Sequence, residues 1–294
     1  MKYIKLGNSE LNVSRICMGC MGFGDAERGQ HSWTLDEQRS REIIKHGLSV
    51  GINFFDTAAA YQSGTSEQYL GRALKDFAKR DEVVVATKFL PRTKEEIQAG
   101  ITGRQHIERM VDLSIKNLGL DYIDLYIYHM WDYNTPLFDI MDGLDRAVKA
   151  GKVRYIGFSN YSAWEACDMM WTAKSNGFVV PKVAQNVYNL ITRGADDEFA
   201  YFLRKYKVGF VIYNPLAGGL LTGKHSRNHI AEGSRFNSKM YQDRYFNDKN
   251  FDAIDILKGI AEEAGMTLVE LATRWCLSND FVDSIMMGFS KLSQ

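Results

Sequence analysis

Four polar residues of this 294-residue chain close or follow short apolar runs: Asp56 ends INFFD, Lys88 ends VVVATK, His129 ends IDLYIYH, and Tyr61 lies five residues after Asp56. Alone, each has an ordinary structural account, since an Asp after a strand caps, a Lys there is solvated and a His packs. If the three runs are neighbouring strands, the four side chains meet at one place and can do proton chemistry together. A phenol, with an unperturbed pKa of about 10, gives up and recovers a proton too reluctantly near neutrality. A neighbouring ammonium favours the phenolate, and a carboxylate beside that ammonium keeps it charged despite burial. Raising the acidity of Tyr61 roughly a hundred- to a thousandfold takes about 3 to 4 kcal/mol, which one partly desolvated lysine supplies. The expectation is therefore that Lys88 holds the Tyr61 pKa down, Asp56 holds Lys88 charged, Tyr61 donates a proton and His129 hydrogen-bonds the oxygen receiving it. None of the four supplies electrons, so a reduction here requires hydride from a bound cofactor.

The elements that must position these groups are legible as alternation. After a hairpin-like opening, KYIKLGNSELNVS with GNS as its turn, the short apolar runs are RICMG, INFFD, VVVATK, IDLYIYH, RYIGFSN, VAQNVY, GFVIY and VDSIMMG. Each has the length and β-branched or aromatic content of a buried strand. Between them lie amphipathic segments such as DEQRSREIIKHGLSVG, SEQYLGRALKDFAKR, RQHIERMVDLSIKNLG, PLFDIMDGLDRAVKAG and TLVELATRWCLSND. In the second of these Leu70, Leu74 and Phe77 share a helical face, and Ser66 is placed to cap it. Strand then helix, eight times over, predicts a single (β/α)8 TIM barrel over residues 1–294, with its chemistry where strands end. A doubly wound dinucleotide sheet is disfavoured because GCMGFG after the first strand lacks the GxGxxG spacing. The seventh strand is followed by a long polar stretch running to a helix near Phe251, and loops of that length are usually functional.

Lys+Arg and Asp+Glu are each 36, so no net field attracts nucleic acid or an anionic membrane. Cys17 and Cys20 form CMGC without a second ligand pair or a helix start, and read as core residues rather than a metal or redox motif. No secretory leader and no window of about 20 apolar residues is present, which points to a cytoplasmic protein with no membrane span. The stretch GGLLTGKH, Gly218–His225, nearly spells an ATP loop. It ends in His where that loop needs a Ser or Thr hydroxyl on magnesium, and no apolar-periodic helix follows.

The runs FFDTAAAYQSGTSEQYLG, VVVATKF, DLYIYHMWD, KVRYIGFSN, QNVYN and YNPLAGGLLTGK resemble the aldo-keto reductases, in the family's order and over nearly the whole chain. The resemblance implies a (β/α)8 barrel, a nicotinamide dinucleotide cofactor, no metal, and Asp56, Tyr61, Lys88 and His129 as catalytic tetrad. It implies that Ser159, Asn160 and Gln185 hold the carboxamide, that Tyr213 stacks on the nicotinamide, and that the segment from Pro215 through Leu216, Gly218, Leu220 and Gly223 to Lys224 wraps the pyrophosphate. Asn214 stands where many relatives have Ser. Gly288, Ser290, Lys291 and Gln294 match the adenosine end, and Lys291 and Arg235 could pair a 2′-phosphate, which favours NADPH over NADH. The family continues past this point into a final helix with further adenosine contacts; a trimmed or disordered C-terminus would account for its lack here, and weaker cofactor affinity is the expectation only if that helix is truly absent. Relatives of the fold serve as cytoplasmic subunits of potassium channels, a second reading in which the cofactor reports redox state.

The substrate expected is a small carbonyl compound, with Met21, Phe23, Trp33, Phe89, Trp131 and Tyr133 as candidate pocket rim. A homo-oligomer is compatible with all of this. A third reading makes Lys88 a Schiff-base nucleophile in a barrel aldolase, against which Asp56 speaks, because a charged amine does not attack carbonyls.

Overall fold

The computed structural model of the chain describes residues 1–29 and 31–294. Strands β1 (Tyr3–Lys5) and β2 (Asn12–Ser14) pair as an antiparallel hairpin. Then β3 (Ile16–Gly19), β4 (Phe54–Asp56), β5 (Val84–Phe89), β6 (Ile123–Tyr128), β7 (Val153–Ser159), β8 (Val183–Val187), β9 (Gly209–Tyr213) and β10 (Ser284–Met287) run parallel and close into a barrel, β10 pairing back onto β3. The connecting helices are α1 (Glu37–Ser49), α2 (Thr65–Phe77), α3 (Lys94–Gln98), α4 (Gly103–Leu118), α5 (Leu137–Lys149), α6 (Ala163–Ser175), α7 (Phe199–Tyr206), α8 (Lys239–Tyr245), α9 (Asp248–Glu263) and α10 (Leu268–Ser278). This is the (β/α)8 TIM barrel with an N-terminal hairpin that the alternation predicts. Among the described residues no helix is long and apolar enough to cross a membrane.

Local chemistry explains where helices begin. Thr102 with Gln105, Ser162 with Glu165 and Thr267 with Glu270 form capping boxes at α4, α6 and α10, each satisfying two backbone donors reciprocally. Helix α2 departs from the sequence reading. It starts after Gly64, in a left-handed conformation, so Ser66 lies inside the first turn and caps nothing. Its hydroxyl instead donates to the Cys20 carbonyl at 2.8 Å and meets Thr57 Oγ1 at 2.9 Å.

The two-residue period of the strands divides the core. Inward side chains, among them Cys17, Phe54, Ala86, Leu125, Ile127, Val183 and Val211, fill the barrel together with Leu6, Leu11 and Val13 of the hairpin segment. Outward ones such as Phe55, Val85, Tyr126 and Phe210 pack under Ile44, Leu70, Val111 and Leu144 of the helices. The hairpin closes the end of the barrel where strands begin: Gly7 N donates to Asp283 Oδ2 at 3.1 Å and Asn8 N to the Lys207 carbonyl at 3.1 Å. Gly7, at φ +56, must be glycine, since a Cβ there would lie 2.2 Å from Gly209 N.

The stretch after β9 is not the structureless loop its polarity suggested. Ala217, Leu220, Leu221, Phe236, Tyr241 and Tyr245 pack with Phe251 and Ile254 of α9 and with Leu268 and Ala272 of α10 into a separate apolar cluster. Widely spaced aromatic residues among charges anchor it, and α8 forms within it.

Candidate active site

The same alternation builds the site. Asp56 follows Phe54 on the inward face of β4, Lys88 follows Ala86 on β5, Gln185 follows Val183 on β8 and Tyr213 follows Val211 on β9, while His129 lies two residues past Ile127. Five polar side chains therefore stand at the strand ends above the apolar filling, at the end of the barrel opposite the hairpin.

Lys88 is the hub. Its Nζ donates to Asp56 Oδ1 at 2.5 Å, to the Thr57 carbonyl at 2.7 Å and to Tyr61 Oη at 3.3 Å, which uses all three ammonium protons. Both members of the Lys88–Asp56 pair are 0 % exposed, and Gln185 Nε2 donates to the other carboxylate oxygen at 2.9 Å. A charge buried this deeply survives only when paired and hydrogen-bonded. The ring of Tyr61 meets that of His129 edge-on at 6.0 Å, and Lys88 Nζ lies 4.8 Å from the Tyr61 ring centre.

Burial opposes the Lys88 charge, but Asp56 and Tyr61 outweigh it and hold the amine above its ordinary value. For Asp56 burial pushes the carboxyl up while Lys88 and Gln185 pull it back. Tyr61 corrects the sequence expectation: burial raises the phenol above its ordinary value, and the opposing pull of Lys88 does not reverse this. Sequence position does not reveal desolvation, and here desolvation is the larger effect. His129 is lowered to about 3 by burial and by the Lys88 charge, so the ring is neutral, and its Nδ1 is buried without a hydrogen-bond partner among the described residues.

Tyr61 sits on an unusual turn. Gln62 (φ 48), Ser63 (φ 52) and Gly64 (φ 86) are left-handed in succession, which costs about 1 to 2 kcal/mol for each of the two non-glycine residues. Behind Lys88, buried Glu67 accepts from Thr87 Oγ1 at 2.6 Å and from Asn117 Nδ2 at 2.8 Å. Sequence reasoning missed Gln62, Glu67 and the Thr57 carbonyl. Only the SG dipeptide after Gln62 signals a turn, and it says nothing of the turn's hand.

The residues expected to meet a dinucleotide gather at the same mouth. Ser159 ends β7 in register with Gln185. Asn160, at φ 62, donates through Nδ2 to the His129 carbonyl at 2.9 Å and accepts at Oδ1 from the Tyr213 hydroxyl at 2.6 Å. Asn214 and Ala217 have φ of 54 and 48, and Gly218, Gly219 and Gly223 are likewise left-handed. Successive turns of this hand make backbone concavities suited to phosphate, and exposed Lys224 adds charge. The hand of this backbone and the Lys224 charge are chemically compatible with a pyrophosphate, although the N–H groups of Ala217, Gly219, Leu221 and Gly223 already donate within the segment. Pro215 and Leu220 are buried and Leu216 is partly buried, so their side chains anchor the segment from beneath. Arg235 lies against the far side: its Nη2 would be 3.2 Å from a Cβ on Gly288, and its guanidinium is 4.9 Å from the Trp33 ring centre. Ser290, Lys291 and Gln294 are exposed and tied together through Gln294 Oε1, which accepts from Ser290 N at 2.8 Å and Lys291 N at 3.2 Å.

The candidate rim divides. Met21 and Trp131 are partly exposed, and Tyr133 is 80 % exposed and donates to Glu165 Oε1 at 3.2 Å. Trp33 stacks on His31 at 4.8 Å. Phe23 and Phe89 are corrections, since both are fully buried in the layer between sheet and helices. With Lys88 pointing inward the strand period turns Phe89 outward, where it stacks on Tyr126 and Tyr128 at 4.7 Å each.

Comparison with known proteins identifies a family and several named relatives. The profile of the aldo/keto reductase family matches residues 15–294. A probable voltage-gated potassium channel subunit beta of Oryza sativa subsp. japonica is 33 % identical over 300 residues, covering 100 % of this chain and 89 % of its own length. The versiconal hemiacetal acetate reductase of Aspergillus parasiticus is 33 % identical over 298 residues, covering 95 % of this chain and 86 % of its own. The aldo-keto reductase YhdN of Bacillus subtilis (strain 168) is 32 % identical over 298 residues, covering 100 % of this chain and 86 % of its own.

Proposed function

This chain belongs to the aldo/keto reductase family of oxidoreductases, and from that premise we propose that it reduces small aldehydes or ketones to alcohols with NADPH, Tyr61 acting as general acid. The observation that carries the reading is the contact of Lys88 Nζ with Tyr61 Oη at 3.3 Å. NADPH, when bound, supplies the hydride that adds to the carbonyl carbon. As negative charge develops on the carbonyl oxygen, Tyr61 transfers its proton there and the new C–H and O–H bonds complete an alcohol. The raised phenol value keeps the donor fully protonated near neutrality. Lys88 stabilises the phenolate left behind, and Asp56 fixes Lys88 by charge and by hydrogen bond. His129, neutral, donates a ring N–H to the same oxygen without competing as an acid. Ser159, Asn160 and Gln185 would hold the carboxamide, with Gln185 Oε1 as acceptor because its Nε2 is committed to Asp56. Tyr213 would face the nicotinamide, and the segment from Asn214 to Lys224 the pyrophosphate. Arg235, Gly288, Ser290, Lys291 and Gln294 would take the adenosine end, with Arg235 and Lys291 favouring the 2′-phosphate.

Among the rim candidates Met21, Trp33, Trp131 and Tyr133 remain to contact the substrate. The four unbonded thiols suit a reducing compartment, and a cytoplasmic setting is part of the reading. A Schiff-base role for Lys88 is disfavoured by the same ion pair, which keeps the amine protonated. The likeness to potassium channel beta subunits supports a second reading, a cofactor-binding redox sensor built on the same site. Turnover of a panel of aldehydes and ketones with NADPH and with NADH, on wild type and Tyr61→Phe, tests the proposal. Phe keeps the ring and removes the acid, so turnover should fall by about 10² to 10⁴ with NADPH affinity kept. An equally active Tyr61→Phe refutes the assignment. Rapid turnover by a monomer speaks against the channel-like reading, and a tight fourfold assembly speaks for it.

A further inference from the structure

We propose that Gln62 is a positioning residue that fastens the loop between β3 and α1 to Tyr61 and so holds the proton donor against Lys88; this rests on the reading of Tyr61 as general acid. Gln62 is 1 % exposed although it follows a residue at the mouth. Its side chain makes three hydrogen bonds to that loop: Nε2 donates to the Asp25 carbonyl at 2.7 Å and to the His31 carbonyl at 3.0 Å, and Oε1 accepts from His31 N at 2.9 Å. The amide thus has its donors and one acceptor position matched entirely by backbone, as a buried amide requires.

Two glycines of the loop are shaped around it. A Cβ on Gly24 would lie 2.7 Å from Gln62 Cβ, and one on Gly29 would lie 2.7 Å from Gln62 Cα. Both glycines have positive φ, so the loop reaches Gln62 only through conformations that favour glycine. On the other side, the left-handed backbone of Gln62 and Ser63 carries the chain from Tyr61 into α2. Non-glycine residues hold such a conformation when their surroundings over-determine it, and here the loop does so. Thr65 Oγ1 adds a second tie, donating to the Gln62 carbonyl at 2.8 Å and accepting from Asp25 N at 3.0 Å. The loop also carries Trp33, which meets Arg235, so the loop that Gln62 fastens touches the stretch after β9 as well.

Two variants separate the bonds from the backbone: Gln62→Gly relieves the left-handed turn and deletes the side chain, whereas Gln62→Met keeps the length and loses the hydrogen bonds. Arg28 in the loop is exposed, so native trypsin cleavage after it, read by mass spectrometry, reports the fastening without reference to activity. Cleavage is expected to be at least tenfold faster in both variants. Carbonyl turnover should fall at least fivefold in kcat, NADPH affinity by fluorescence titration should stay within twofold, and the basic limb of the kcat–pH profile should move to higher pH as Tyr61 drifts from Lys88. Cleavage at the wild-type rate in both variants overturns the proposal, as does faster cleavage with unchanged kcat and pH profile. Full activity of Tyr61→Phe measured alongside overturns the proton-donor reading itself, while the cleavage rates still decide whether Gln62 holds the loop.

Discussion

Lys88→Met makes the buried ion pair measurable through protons. The substitution fills the space of the side chain and leaves Asp56 facing no cation, with Gln185 Nε2 still on its Oδ2. Burial already pushes this carboxyl up when Lys88 is present; without Lys88 the push is opposed only by hydrogen bonds, and the folded variant takes up a proton. The unfolded chain, with its carboxyl near 3.9, does not hold that proton above about pH 4. Folded protein then binds more protons than unfolded, so stability falls as pH rises, by about 1.4 kcal/mol per pH unit, until the folded-state value is passed. Between pH 5 and 7 the variant should lose about 3 kcal/mol more than wild type, of the order of the 3–5 kcal/mol typical of removing half of a buried pair. At about 2.1 cal/mol/K per residue, the 294 residues convert about 3 kcal/mol into a Tm difference of about 5 °C. Guanidinium unfolding of both proteins at pH 5, 6 and 7 reads this directly. Parallel stability–pH curves would show that Asp56 is not dependent on Lys88 for its charge, and would refute the reasoning for the whole site.

His129, lowered to about 3 by burial and Lys88, contributes in the opposite sense: below about pH 6.5 the unfolded chain takes a proton that the folded one refuses. Wild type should therefore lose about 1.4 kcal/mol per pH unit from this residue as pH drops from 6.5, and His129→Asn should flatten that slope. An inflection near 6.5 in the kcat–pH profile that vanishes in His129→Asn would contradict a neutral ring. Arg235→Ala should weaken NADPH about 10- to 100-fold while changing NADH little, since a charge-assisted hydrogen bond contributes about 1.5–3 kcal/mol; equal loss for both cofactors in paired titrations would remove Arg235 from the 2′-phosphate.

The eight strands and the placing of Asp56, Lys88 and His129 were legible because period-two burial writes a strand and its direction into a few residues. The same period, applied past Lys88, would have turned Phe89 into the core, where it lies. Other features leave no such trace. Helix α6 is apolar on both faces, with Trp164 58 % and Trp171 57 % exposed, so its amphipathic signal is weak. The stretch after β9 looks polar because its anchors, Phe236, Tyr241 and Tyr245, are spaced among charges, and they form a core only once α9 and α10 are beside them. The sign of the Tyr61 shift depends on depth, and the left-handed run from Gln62 to Gly64 on a partner loop that begins some forty residues earlier in the chain.

The hairpin that seats Leu6, Leu11 and Val13 inside the barrel has a consequence for the order of assembly. Its fastening points are Lys207, Gly209 and Asp283, the last of them 276 positions after Gly7. During synthesis this segment emerges 276 residues before Asp283, carrying three apolar side chains whose seat in the barrel does not yet exist. Such distant pairing is slow to find, so the stopper is expected to seat late, and chaperone demand should centre on the interval before residue 283 is complete.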